Sequence, residues 1–167
     1  GSAKISSYDK SKEEVNSRLV NLKFINNEEF IFFTNYNSPK SWEFKSHSQI
    51  AALFYWPAIN IQIRIKAVIK KTPALFNQQY FSNRSPEKNA LAISSMQSKT
   101  IKSYEKVISN YEDIYINSNL SQVPKYWGGY SFTPYYFEFW EGHSSRLNKR
   151  NVYEKNSNNW DNFVIQP

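Results

Sequence analysis

Apolar and polar residues alternate most strictly over residues 59–65, INIQIRI, which predicts a strand with Ile59, Ile61, Ile63 and Ile65 toward a core and Asn60, Gln62 and Arg64 away from it. Residues 17–24, SRLVNLKF, alternate well enough for a strand with Leu19 in register; INNEE then reads as a turn and FIFFTNY as the returning strand of a β-hairpin. IAALFYW, residues 50–56, is a continuous apolar run and reads as a buried strand. The last third returns to strands: YSFTPYYFEFW, then RNVYEK, a polar NSNN turn and WDNFVIQP. In the first of these, alternation puts Phe137 and Phe139 on the core face.

Helices interrupt this pattern where the capping chemistry changes. Ser38 followed by Pro39 supplies an N-cap and a first-turn proline, so a short helix follows. Thr72 with Pro73 starts TPALFNQQYF, which reads as a further helix, and KSYEKVISNYEDIY sets Tyr104, Val107, Ile108, Tyr111 and Ile114 at helical spacing. Short strands joined mainly by hairpins, with a few helices between them, predict a mainly β fold with peripheral helices: an antiparallel barrel or sheet within one domain, residues 1–167.

Composition narrows the chemistry. Aromatic residues make up 17% of the chain and there are only 4 glycines, which favours a folded chain over a low-complexity one. The absence of cysteine removes disulfides, thiolate metal sites and a thiol nucleophile, and suits a reducing compartment such as the cytoplasm. His47 and His143 stand far apart without zinc-ligand spacing, so no metal is expected. The apolar runs fall well short of the roughly 20 residues of a membrane span, and neither a membrane anchor nor a signal peptide is expected. The leading Gly-Ser looks like a cloning remnant that hides the native start. A net charge of +7 favours anionic partners, whether phosphorylated small molecules, nucleic acid or a membrane surface.

The familiar catalytic motifs do not apply: there is no GxSxG elbow, Walker loop or dinucleotide fingerprint. What remains is a series of basic and hydroxyl residues at predicted strand ends and helix starts, where anions are commonly held. They are Arg18, Lys23, Thr34, Ser38, Lys40, Arg84, Lys88, Gln97, Ser98, Arg146 and Arg150. Each taken singly also fits a solvated surface position.

RLVNLK (18–23), FFTNYNSPK (32–40), IQIRI (61–65), YFSNR (80–84), QS (97–98), VPKYWGGY (123–130) and FEFWEGHSSRLNKR (137–150) occur in the order found in pyridoxamine 5'-phosphate oxidases, and the chain resembles that family over nearly its whole length. The resemblance implies an FMN-binding split β-barrel and a homodimer with FMN at the subunit interface, residues from about 123 to 167 forming the dimerisation region. It implies FMN-dependent oxidation of pyridoxamine or pyridoxine 5'-phosphate by oxygen, giving pyridoxal 5'-phosphate and hydrogen peroxide. Carried over by position, the FMN set is Arg18, Val20, Leu22, Lys23, Phe33, Thr34, Lys40, Gln62, Gln97, Ser98, Trp140 and Arg150. The phosphorylated vitamin B6 substrate falls to Lys23, Tyr80, Arg84, Lys88, Arg146 and Asn148, with Arg146 and Asn148 nearest the chemistry.

Departures from the family pattern fall at functional positions. Pro39 stands where an arginine usually precedes the lysine at Lys40, so one charged phosphate donor is lost, an expected weakening of FMN by about tenfold. Lys88 replaces a serine, and Asn148 replaces the histidine of an R-L-H triplet, keeping hydrogen bonding without titration. The segment that closes over substrate in the family would precede Ala3; without it, substrate capture is expected to weaken. Two further readings stand beside the oxidase: an FMN-binding relative without this activity, serving as a flavin carrier or acting on another substrate, and a basic aromatic nucleic-acid-binding barrel.

Overall fold

The framework is an antiparallel sheet whose strands β1 (Ser2–Asp9), β2 (Glu14–Asn21), β3 (Phe24–Asn26), β4 (Glu29–Asn35), β5 (Gln49–Trp56), β6 (Ile61–Lys71) and β7 (Trp127–Glu141) run in the order β2-β1-β5-β6-β7-β4-β3. Strand β8 (Lys149–Asn156) pairs with β7, and β9 (Asn159–Val164) pairs with β8. Four helices, α1 (Pro39–Ser46), α2 (Ala74–Ser82), α3 (Pro86–Ser94) and α4 (Tyr104–Asn117), complete the chain. The computed structural model describes residues 1–167. It divides into two units: Gly1–Phe32, Glu43–Lys70 and Ser131–Pro167 in the first, and Phe33–Trp42 and Lys71–Tyr130 in the second.

The first unit holds most of the sheet. Its core is the inward face of alternating strands: Ala3 and Ile5 of β1, Ile50 and Ala52 of β5, Ile65 and Ala67 of β6, Phe132 of β7 and Val152 of β8 are all buried. Phe32 packs edge-on to Phe44, and Phe30 stacks on Phe132 at 5.2 Å. The second unit contains α2, α3 and α4 with the adjoining ends of β4 and β7. Helices α3 and α4 start at side-chain caps, Ser85 and Ser103 accepting the N–H groups of Lys88 and Lys106, whereas α2 starts at Ala74 after Pro73 with no side-chain cap.

Several expectations change. Residues 59–65 do not form one strand: Ile59 ends a 3₁₀ turn (Pro57–Ile59) and is 62% exposed, and Asn60 adopts a left-handed φ of 50° before β6 begins at Ile61. Ile61 and Ile63 are half-buried and Ile65 is buried, so the alternation becomes a core face only in the later part of the strand. The 17–24 strand is broken between β2 and β3; Val20 rather than Leu19 is buried, and the hairpin is β3–β4, turning at Asn27 with φ 54°. IAALFYW is not buried throughout: Ile50 and Ala52 face inward, while Ala51, Tyr55 and Trp56 are exposed. The pattern of apolar and polar positions does not predict strand β1 or helix α3.

The sharpest change is in β7. Phe137 and Phe139 do not line the core; they stack on each other at 6.1 Å, with Trp160 and Tyr153 beside them, as a partly exposed aromatic shelf. The residue between them, Glu138, is the buried one, 1% exposed. Its burial is possible because two guanidinium groups and a phenol converge on the carboxylate, described below.

Candidate functional site

In the second unit, β4 delivers two consecutive side chains to opposite sides of the strand. Thr34 is buried and its Oγ1 accepts from Lys40 Nζ at 3.1 Å while donating to Gln97 Oε1 at 3.1 Å. Lys40 is itself buried, 8% exposed, and also donates to Ser38 Oγ at 3.3 Å. A buried ammonium among hydroxyl oxygens is a place to hold an anion, because the hydroxyls can turn and the charge is already desolvated. Four residues singled out from sequence, Thr34, Ser38, Lys40 and Gln97, therefore meet in one hydrogen-bonded group. Ser98 follows Gln97 with a left-handed φ of 67° and an exposed side chain.

On the other side of β4, Phe33 stacks on Tyr80 at 3.9 Å and on Trp127 at 5.1 Å, with Phe76 at 5.9 Å. Arg84, one turn after Tyr80, lies over the Trp127 ring at 4.5 Å and donates to Asn89 Oδ1 at 3.2 Å. Burial pushes the Tyr80 phenol up against the opposing charge of Arg84, and burial likewise pulls the Arg84 guanidinium down against the opposing effect of Tyr80. The aromatic group is packed against glycine: a Cβ on Gly129 would overlap Thr72 Oγ1 and crowd the Phe33 ring. Asn77 holds this region together, its Oδ1 accepting from Thr72 Oγ1 at 2.5 Å and from Gly129 N–H at 3.0 Å, while its amide donates to Tyr36 at 3.0 Å. Lys88 is exposed in the first turn of α3.

In the first unit, Arg18 is held rather than loose. Its Nη2 donates to Glu43 Oε2 at 2.6 Å and its Nη1 to Ser7 Oγ at 2.6 Å; Glu43, 2% exposed, also accepts from Asn16 at 2.9 Å and from the Ser7 hydroxyl. Val20 is buried, Leu22 half-buried and Lys23 exposed. Gln62 is half-buried on β6, opposite Tyr55 in register.

Trp140 and Arg150 are directly opposed on β7 and β8, hence neighbours on one face. Arg150 grips Glu138 side-on, Nε to Oε2 and Nη2 to Oε1, each at 3.0 Å. Arg64 Nη1 reaches Oε1 at 3.0 Å and the Tyr136 hydroxyl donates to it at 3.3 Å. Burial raises the Glu138 carboxyl, but the Arg150 hydrogen bonds and the charges of Arg64 and Arg150 outweigh it and hold the group below its usual range. Arg146 lies in the exposed loop between β7 and β8 with a left-handed φ of 64°, its N–H bonded to His143 O at 3.0 Å. Asn148 Oδ1 accepts the His143 N–H at 2.9 Å, so this amide fastens the loop that presents Arg146.

Sequence reasoning missed Glu43, Glu138 and Asn77. Glu138 left a trace: it shares the face of Tyr136 and Trp140, so an acid there has Arg150 diagonally across the neighbouring strand. Glu43 and Arg18 meet across 25 residues of separation and left none.

The fold is that of a split β-barrel. PhzG from Burkholderia lata 383, solved in complex with tetrahydrophenazine-1-carboxylic acid, superposes with a TM-score of 0.91 at 25% identity, covering 99% of this chain and 82% of that one. A pyridoxamine 5'-phosphate oxidase-related, FMN binding protein from Nostoc punctiforme PCC 73102 shares the fold with a TM-score of 0.81 at 11% identity, covering 99% and 87%. Residues 127–167 match the pyridoxine 5'-phosphate oxidase C-terminal dimerisation region. Pyridoxine/pyridoxamine 5'-phosphate oxidases of Haemophilus influenzae and Leptospira interrogans are 38% and 36% identical, covering 91% and 90% of this chain and 73% and 72% of their own. The chain belongs to the pyridoxine/pyridoxamine 5'-phosphate oxidase family. No helix is long and apolar enough to cross a membrane.

Proposed function

We propose that the protein is an FMN-dependent oxidase that converts pyridoxamine or pyridoxine 5'-phosphate to pyridoxal 5'-phosphate, acting as a homodimer. The observation that carries this reading is the arrangement around β4. Thr34 joins Lys40 and Gln97, which the family pattern gives to the cofactor; its neighbour Phe33 joins Tyr80 directly and Arg84 through Trp127, and the pattern gives Tyr80 and Arg84 to substrate.

The residues fit a phosphorylated flavin. A buried ammonium with hydroxyl neighbours at Lys40 suits a phosphate dianion, Gln62 offers an amide for a ring edge, and Trp140 offers an aromatic wall. Arg18, Val20, Leu22, Lys23, Ser98 and Arg150 complete the proposed flavin set. When bound, FMN would supply a hydride acceptor for the aminomethyl or hydroxymethyl carbon of substrate, with oxygen as the final electron acceptor leaving as hydrogen peroxide and, for the aminomethyl substrate, water releasing the nitrogen as ammonia. The chain's own part is binding and orientation. Arg84 and Tyr80, with Lys23 and Lys88, would receive the substrate phosphate, and Arg146 with Asn148 would face the pyridine ring. Lys88 contributes there as a flexible point charge in place of a hydroxyl.

A second reading, a flavin-binding relative acting on another substrate, is favoured by Asn148, which does not titrate and is committed to the His143 N–H. One assay separates the two. The FMN-saturated protein is supplied with each phosphorylated vitamer under air, and hydrogen peroxide and pyridoxal 5'-phosphate are measured together. Stoichiometric release of both is expected; a flavin-loaded protein that turns over neither vitamer would sink the oxidase reading.

A further inference from the structure

Glu138 is the most buried charged group on β7, and its surroundings do more than neutralise it. The carboxylate takes the Nε and Nη2 edge of Arg150 at 3.0 Å on each bond, and the remaining Nη1 of Arg150 donates to Gln166 O at 3.0 Å. The guanidinium is thus fixed along two edges, in plane and in direction, before any ligand arrives. Arg64 and Tyr136 bind the same oxygen, Oε1, and so fix the carboxylate in turn.

The charge balance is equally informative. One carboxylate faces two guanidiniums, so the cluster keeps a net positive charge and still attracts an anion. Trp140 is directly opposite Arg150 across the β7–β8 ladder, and Glu138 lies two residues earlier on the same face. Anything stacked on Trp140 therefore meets an arginine whose position is set by Glu138.

We infer that Glu138 is a positioning residue for the flavin, holding Arg150 beside Trp140 in its binding orientation, while Arg64 steadies the carboxylate without itself being required. The inference rests on the flavin reading above, and specifically on Arg150 as a flavin contact. A long flexible side chain that is ordered on folding has less freedom to lose when ligand binds. Without Glu138, Arg150 keeps its charge and loses its direction.

The test titrates FMN into the flavin-free full chain and follows flavin fluorescence, with thermal melting measured alongside. Glu138→Gln removes the charge with little change of shape, and Glu138→Asp keeps the charge but shortens the arm; each is expected to weaken FMN by about tenfold, as is Arg150→Ala. Arg64→Ala is expected to stay within about threefold of the unaltered protein, because Arg64 is half exposed and shares only one oxygen. Glu138→Gln added to Arg150→Ala is expected to cost no further FMN affinity, although it lowers the melting temperature in both backgrounds; a merely structural role would weaken FMN equally in both. Unaltered FMN affinity in Glu138→Gln and Glu138→Asp, with loss in Arg150→Ala, would overturn the inference and leave the flavin reading standing. Unaltered affinity in Arg150→Ala would remove Arg150 from the flavin set and the inference with it, while Lys40→Ala still tests the flavin reading separately.

Discussion

Asn148 shows how one side chain divides between support and chemistry. Its Oδ1 is occupied by the His143 N–H, which leaves the amide NH₂ to face a ligand, and neither group changes charge with pH. Asn148→His is expected to add an ionisation at about pH 6.5 to the profile of kcat/KM for pyridoxamine 5'-phosphate; an unchanged profile would place residue 148 away from the substrate. Arg146, strained at φ 64° in the same loop, is expected on replacement by alanine to lose turnover by about a hundredfold while FMN retention changes little, the loss corresponding to one charged contact made to substrate. Equal loss of both would mean that Arg146 serves the flavin. At this scale the sequence was legible where residue type alone limits the role: Lys40 and Arg84 are cations beside hydroxyls or aromatics. It was only faintly legible at Glu138 and not at Glu43, since the role of each depends on which arginine the fold brings to it.

Strand β7 carries the main lesson at the scale of elements. Its apolar residues mark a strand correctly but not its inward face, because a carboxylate satisfied by two arginines can be buried while phenylalanines stack outside. Helix starts were more transparent: Ser38–Pro39 marks α1, and Ser85–Pro86 carries the same signal for α3, where the short, weakly apolar helix hid it from periodicity. Strand β1 was obscured because its inward positions, Ala3, Ile5 and Ser7, offer little contrast in polarity. Two outcomes belong to β7. Gly129→Ala is expected to destabilise the fold by about 1–3 kcal/mol, since its Cβ has nowhere to go but toward Thr72 and Phe33, and urea unfolding measures it. Glu138 has a depressed folded-state pKa, so its contribution is present above the usual carboxylate range and is lost as pH falls through the folded value. Stability followed below about pH 5 should therefore decline less steeply in Glu138→Gln than in the unaltered protein.

For the whole molecule, a net charge of +7 acts on any anionic ligand from a distance, whereas the buried Lys40 acts only on contact. Raising salt from about 0.05 to 0.5 M is expected to slow FMN association several-fold while leaving dissociation nearly unchanged, measured by stopped-flow fluorescence. The mainly β class could be read from the sequence, since alternation and turn residues are local; the strand order and the pairing of β1 with β5, with the burial it produces, are not local. Because Phe33 and Thr34 are adjacent on β4, a one-residue slip that brought Thr34 to the aromatic stack would bring Asn35 to the ammonium of Lys40. Such a slip would alter both groups at once, so a change confined to the aromatic stack or to the Lys40 group has to come from substitution and not from sliding β4.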